Sequence, residues 1–282
     1  MWLLKAIAAT IGAAIICGYL ALCLLFYQGQ WQLVLHPART AAAPASIDGA
    51  PFQIIHFGPD ESAIPQLIGW WIPAAPQARY AGTTLLFLPP GDGSLADSIP
   101  TLSALHRLGI NVFAFDYRGY GQSAHTHPTH QRMAHDADSA WLYLTASREV
   151  PQNQIIPYGA GAGASLAASL AAEHPSVPAL ILDSPHADLL DAVRRDPRSS
   201  LLPTSLLFHE DFPLAAPLKT LHTPKLLLTK SPGQLPAAYR TACNPKTAVS
   251  FTGSADASYA DALTHFLDQY VPGARLVPAP TH

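Results

Sequence analysis

Gln154-Ile155-Ile156-Pro157-Tyr158-Gly159-Ala160-Gly161-Ala162-Gly163-Ala164-Ser165-Leu166-Ala167, continuing to His174-Pro175, is the stretch that decides the fold. QIIPY (154–158) is a strand-length apolar run, and GASLAASLAAEH (163–174) is long enough and Ala/Leu-rich enough for a helix. Three glycines, Gly159, Gly161 and Gly163, stand between and beside them. Outward from this unit the same alternation recurs. FQIIHF (52–57), LIGWWIP (67–73), TTLLFLP (83–89), INVFAFD (110–116), ALILD (179–183), KLLLTK (225–230) and TAVSF (247–251) are short runs of β-branched, aromatic and leucine residues, each of strand length. From the third of them onward, LADSIPTLSALHRLG, HQRMAHDADSAWLYLTAS and ASYADALTHFLDQY supply further helices between strands. Strands alternating with helices predict an α/β domain with a doubly wound, mostly parallel sheet. The first two runs, with no helix between them, predict an antiparallel start.

The flanks complete the layout. From Ala6 to Tyr27 the chain carries no charge. A helix of that length rises about 33 Å, enough for a hydrocarbon core of about 30 Å. It predicts a transmembrane anchor over 1–27. A cleaved signal peptide is disfavoured, because the apolar run is long and Ala41-Ala42-Ala43 lies well past its end. Lys5 and the terminal amine before the span, against Arg39 after it, place the amino terminus in the cytoplasm. The domain is then expected on the far side. Residues 28–50, with Gln, Pro and an alanine run but no amphipathic period, read as a tether, and 51–282 as the domain. About forty residues between Ser184 and Thr223, broken by Pro185, Pro197, Pro203, Pro213 and Pro217, read as a small lid or crossover over 184–223.

Composition narrows the function classes. A formal net charge of -3 offers no basic face, so no nucleic-acid partner is expected. Cys17 and Cys23 fall in the apolar run and leave Cys243 alone, so no disulfide framework is expected.

Asp116-Tyr117-Arg118-Gly119-Tyr120-Gly121-Gln122-Ser123, after the fourth run, together with the glycine-rich unit at 154–175, resembles the α/β-hydrolase superfamily. The resemblance is to bacterial membrane-anchored hydrolases of the serine aminopeptidase-like or Bem46-like type, and covers most of residues 50–270. It implies an α/β-hydrolase fold on a bacterial membrane anchor, which with the orientation read from the flanking charges gives a single-pass inner-membrane protein with a periplasmic domain. It also implies that 159–163 is the nucleophile elbow, where G-x-S-x-G sets a serine between a strand and a helix. Here the central residue is Gly161. The family's acid position falls at Leu228–Pro236, around Gly233, where no carboxylate stands; its histidine position falls at Asp256. Pro89-Pro90-Gly91 replaces the family's His-Gly, leaving the N–H groups of Gly91 and Ala162 as candidate donors to an oxyanion or other anion.

Two functional readings remain. One is a pseudoenzyme that binds a small acyl, peptide or lipid-like ligand, or a protein, without cofactor or metal. The other is a working ester or amide hydrolase with a nonstandard nucleophile, Ser165 in a displaced elbow or Ser184. For Ser165 the plainer reading is a small helical residue packed on the sheet. Asp183-Ser184-Pro185-His186 ends a strand where ligands bind in open α/β sheets; there Asp183 either orients a histidine or, with Ser184, turns the chain and caps a helix containing Leu189. Asp92 reads as a turn residue. His125, His127, His130 and His135 form the one metal-like cluster, more simply a solvated loop before a helix capped by Thr129. Of Trp70 and Trp71, on opposite faces of one strand, one is expected in the core and the other at the membrane surface or a pocket rim.

Overall fold

The structure is a computed structural model that describes residues 1–40, 42–186, 197, 201–210, 212–230, 235–253 and 256–271. The chain divides into two compact units, Met1–Leu35 with Asp188–Asp211, and His36–Ala187 with Phe212–His282.

In the first unit, α1 (Trp2–Gly29) is apolar apart from Lys5, Thr10 and residues near its C-terminal end, and is followed by a 3-10 turn over Gln30–Leu33. The long run without proline explains its continuity, since each residue adds one backbone bond to an established helix. This unit also holds a short turn of helix over Thr204–Leu207. Gln30, only 1% exposed, joins the two. Its amide nitrogen donates to the carbonyls of Tyr27 (2.9 Å) and Leu207 (3.2 Å), and its oxygen accepts from the His209 N–H (2.8 Å). The Tyr27 and His209 rings lie 4.4 Å apart.

In the second unit the strands, in chain order, are β1 (His36–Pro37), β2 (Gln53–Pro59), β3 (Pro65–Ile72), β4 (Tyr80–Leu88), β5 (Asp92–Gly93), β6 (Ile110–Asp116), β7 (Ile155–Ala160), β8 (Leu180–Asp183), β9 (Lys225–Thr229) and β10 (Lys246–Ser250). Eight of them form one sheet in the order β10-β9-β8-β7-β4-β6-β3-β2. β2 and β3 pair antiparallel, as do β3 and β6; the remaining pairs are parallel. All eight runs marked in the sequence are in that sheet. α2 (Ile99–Arg107), α3 (His130–Leu142), α4 (Gly163–Glu173) and α5 (Ala257–Tyr270) cover it. The period-2 alternation of β4 and β6 sorts side chains between two cores. Leu85, Phe87, Val112 and Ala114 join a buried cluster with Leu102 and Leu105 of α2 and Tyr259, Leu263 and Phe266 of α5. On the opposite face Phe113 and Phe115 pack edge-to-face against Phe57.

Two expectations are corrected. The stretch after His36, read as a tether, is strapped to the domain: His36–Pro37 pairs with Asp92–Gly93, the Arg39 guanidinium donates to the carbonyls of Tyr120 (3.1 Å) and Ser123 (2.6 Å), and Ile47 is fully buried. Backbone pairing of this kind leaves no side-chain period to read. The second concerns the tryptophans, since both Trp70 (2% exposed) and Trp71 (8%) are buried. Trp70 sits in the α2/α5 core, and the Arg148 guanidinium covers the Trp71 ring at 4.0 Å.

Candidate functional site

β7 runs out at Ala160 and α4 begins at Gly163, so the chain must reverse within two residues. Gly161 makes the turn with φ +52°, in the left-handed region. Gly159 and Gly163 permit the crossing: a Cβ on Gly159 would lie within 2.5 Å of the Ala164 Cα, and one on Gly163 within 2.5 Å of the Leu88 and Pro89 carbonyl oxygens. This is the sharp strand-to-helix turn expected of an elbow.

What lies over the turn is Pro90. A Cβ built on Gly161 would stand 2.8 Å from the Pro90 Cβ and 2.9 Å from its carbonyl oxygen. The turn's backbone is also engaged. Ala162 N–H donates to the Pro90 carbonyl (3.0 Å), Gly161 N–H donates to the Asp183 carbonyl (3.0 Å), and the Gly161 carbonyl accepts from His186 N–H (3.3 Å). The expectation that Ala162 offers a free donor to an anion is therefore corrected. Its hydrogen is spent on a loop seventy residues earlier, whose position is not readable from local sequence. Gly91 is buried with φ +85°, and its carbonyl accepts from His36 N–H (3.0 Å) and the Tyr120 hydroxyl (2.9 Å).

The signature loop holds this arrangement in place. Tyr117 Oη donates to the Pro89 carbonyl (3.3 Å), so with Tyr120 it pins both sides of Pro90. Asp116 accepts from Leu95 N–H at 2.7 Å, and burial pushes its carboxyl up to about 6 against the pull of the Leu95 and Gln122 N–H groups. Gly121, at φ +45°, passes so close to that carboxylate that a Cβ would fall 1.8 Å from Asp116 Oδ2. Arg118 binds buried Asp136 through Nε (2.6 Å) and its own N–H (2.8 Å), while Gly119 turns the chain at φ +94°. The space bounded by Pro89, Gly91, Asp92, Asp116, Tyr117 and Tyr120 is too tight to admit a water molecule.

The remaining candidates disperse. Ser165 is 3% exposed and donates its hydroxyl to the Pro213 carbonyl at 2.9 Å, in keeping with a small residue packed in α4. Ser184 has φ +44°, with its hydroxyl buried. The Asp183 carboxylate, at the end of β8, accepts from the Tyr158 hydroxyl (2.6 Å), which is bonded in turn to the Tyr259 hydroxyl on α5 (2.7 Å). Burial raises the Asp183 pKa, opposed by that bond, and raises both tyrosines further above the ordinary phenol range. The helix containing Leu189 and the position of Gly233 lie outside the described residues. Asp256, expected from the resemblance at the family's histidine position, caps α5. It accepts from Thr252 Oγ1 (2.7 Å), Thr252 N–H (3.1 Å) and Ser258 N–H (3.0 Å), and these bonds, that of the Thr252 hydroxyl foremost, hold its carboxyl below the usual range.

Thr129 caps α3 by accepting from Arg132 N–H (3.2 Å), and His130 packs edge-on against Phe212. Among the described residues no group of three or more His, Cys, Asp or Glu is placed to hold a metal ion. One pairing escaped the sequence reading. Asp92 lies 2.7 Å from His36 Nδ1 and 3.9 Å from His186 Nε2, at the strand ends beside Gly91. It depends on the β1–β5 strap, for which the sequence carries no signal.

A family profile described as serine aminopeptidase, S33, matches residues 98–239. An uncharacterised protein of Mycobacterium tuberculosis is 31% identical over 165 residues, 58% of this chain and 56% of that protein. Alpha/beta hydrolase domain-containing protein 17B of Homo sapiens is 32% identical over 120 residues, 41% of this chain and 38% of its own. The chain thus spans about half, or less, of the length of the curated relatives it matches. Among solved structures, an esterase of Pyrococcus furiosus superposes with a TM-score of 0.63 at 17% identity, covering 84% of this chain and 97% of its own. An alpha-beta hydrolase of Vibrio vulnificus gives 0.59 at 21% identity, covering 79% and 81%. Those likenesses speak for the fold alone. The profile match, taken with the signature loop and the strand-to-helix turn, identifies the chain as a member of the serine aminopeptidase family of the α/β hydrolases.

Proposed function

We propose that this chain is a membrane-anchored α/β-hydrolase-like domain that does not carry out serine hydrolysis and uses the fold to hold a ligand or a partner. The observation that carries the reading is the seat of Pro90 over Gly161. The nucleophile's hydroxyl is missing, and the space its Cβ would need is filled. The carboxylates at the sheet edge support it, because Asp183 is tied to Tyr158, and through it to Tyr259, and Asp256 to a helix cap. Among the described residues neither is bonded to a histidine, as the orienting acid of a triad is. The ligand class that suits an α/β-hydrolase frame is a small acyl, peptide or lipid-like molecule, bound at the C-terminal edge of the strands.

Membrane anchoring is supported by α1, which is exposed along its length, carries only Lys5 as a charge and rises about 42 Å, sufficient to cross the core and reach both headgroup layers. Trp2 and Trp31 stand at its two ends, where interfacial aromatics belong. Lys5 supports a cytoplasmic amino terminus and a periplasmic domain of an inner-membrane protein.

The second reading, hydrolysis through Ser184, has one observation in its favour: a serine at φ +44° is strained, and strain gathers at working sites. Its buried hydroxyl counts against it. Hydrolysis of p-nitrophenyl esters by the purified full chain separates the two. Turnover at the buffer rate, unchanged by Ser165→Ala or Ser184→Ala, is expected; turnover abolished by either substitution would establish the hydrolase instead.

A further inference from the structure

Leu201-Leu202-Pro203-Thr204-Ser205-Leu206-Leu207-Phe208 is a run of eight residues with no charge. Its polarity is inside out. Leu201 and Leu206 are 78% and 82% exposed, whereas Thr204 is 8% and the following Glu210 3% exposed. A water-facing segment sorts the other way, with leucines inward and carboxylates outward.

The place of this run within its unit accounts for the inversion. Gln30, immediately after α1, bonds the Leu207 carbonyl and the N–H groups of His209 and Glu210, and Tyr27 in the last turn of α1 lies against the His209 ring. Leu206 is one residue from that attachment, and neighbouring Cα atoms are about 3.8 Å apart. Where α1 crosses a bilayer, Tyr27, Gln30 and Trp31 stand at the headgroup boundary, and Leu206 stands at the same depth. Interfacial segments sink their apolar side chains about 5–10 Å into that boundary.

We infer that residues 201–208 form a second membrane contact, with Leu201 and Leu206 inserted among the lipids of the leaflet where α1 ends. The occupant of this apolar surface is phospholipid, continuous with the lipid around α1. The inference rests on the anchoring of α1 given above.

The test uses the full chain with Cys17, Cys23 and Cys243 replaced by serine, reconstituted in nanodiscs of phosphatidylethanolamine and phosphatidylglycerol. Single spin labels are attached through Leu201→Cys, Leu206→Cys, Ile15→Cys within α1, or Ile64→Cys, whose side chain is 58% exposed in the second unit. Collisions with oxygen report lipid, and collisions with a nickel chelate report water. Labels at 201 and 206 are expected to lose nickel collisions relative to the label at 64 and to gain oxygen collisions. Nickel access at 201 and 206 equal to that at 64, with position 15 shielded, overturns the inference and leaves the anchor intact. Nickel access at position 15 as well overturns both. Dipolar broadening between labels at 206 overturns the inference in favour of a second copy of the chain on this surface.

Discussion

Replacing Gly161 with serine puts a hydroxyl where the proposed reading sets the family's nucleophile, at a cost that follows from the turn's geometry. A side chain at φ +52° sits in the left-handed region, which costs roughly 1–2 kcal/mol for an L-residue. Its Cβ would also lie 2.8 Å from the Pro90 Cβ and 2.9 Å from the Pro90 oxygen, and relieving an overpacked contact of this kind costs about 1–3 kcal/mol. The loop cannot retreat freely, because the Tyr117 and Tyr120 hydroxyls hold Pro89 and Gly91 on either side. Gly161→Ser should therefore destabilise the domain by about 2–5 kcal/mol. At about 2–4 °C per kcal/mol, that is a fall in Tm of roughly 4–20 °C. Thermal unfolding of the full chain in detergent, followed by near-ultraviolet circular dichroism, measures it. Combining the change with Pro90→Gly removes one of the two close atoms, so the pair should be less destabilised than the sum of the singles by about 0.5–3 kcal/mol. A Gly161→Ser protein within about 0.5 kcal/mol of the parent would refute the claim that Pro90 closes the nucleophile's space.

Asp116 predicts a pH dependence. Its folded pKa of about 6 lies above the ordinary carboxylate value of 3.8, so the folded state holds the extra proton between those limits. Its contribution to stability is then complete below pH 4 and lost as pH rises through 6, by about 3 kcal/mol, and Asp116→Asn should flatten that part of the stability profile in denaturant titrations. Tyr158→Phe removes the hydroxyl that Asp183 accepts from and should cost about 1–3 kcal/mol, whereas Tyr259→Phe leaves that bond in place and should cost about 0.5–1.5 kcal/mol, both read from denaturation midpoints. Gly121→Ala drives a methyl group into the Asp116 carboxylate and should cost more than about 3 kcal/mol, seen as a loss of folded protein on expression.

The sheet was legible because its strands are buried on one or both faces, so each appears as a short apolar run between turns. INVFAFD coincides with β6 residue for residue. The turn at Gly161 was legible too, because close approach of strand and helix demands glycine at 159 and 163 whatever else the site does. What escaped depends on residues far apart in the chain. The position of Pro90 over Gly161, the Ala162 N–H spent on it, and the meeting of His36 with Asp92 all follow from where loops from different strands come to rest. The bond from Tyr158 to Asp183, about 25 residues apart on β7 and β8, and its continuation to Tyr259 on α5, about 76 residues later, left no local mark in the sequence. The strap after His36 left no trace because backbone atoms do most of its pairing.

The central claim, that no serine in this chain acts as an activated nucleophile, is tested most directly by intact-mass spectrometry of the full chain after incubation with a fluorophosphonate. The account predicts an unshifted mass, with a catalytic serine hydrolase in the same tube fully modified. A stoichiometric adduct mapped to a single serine, and lost when that residue is replaced by alanine, would contradict it.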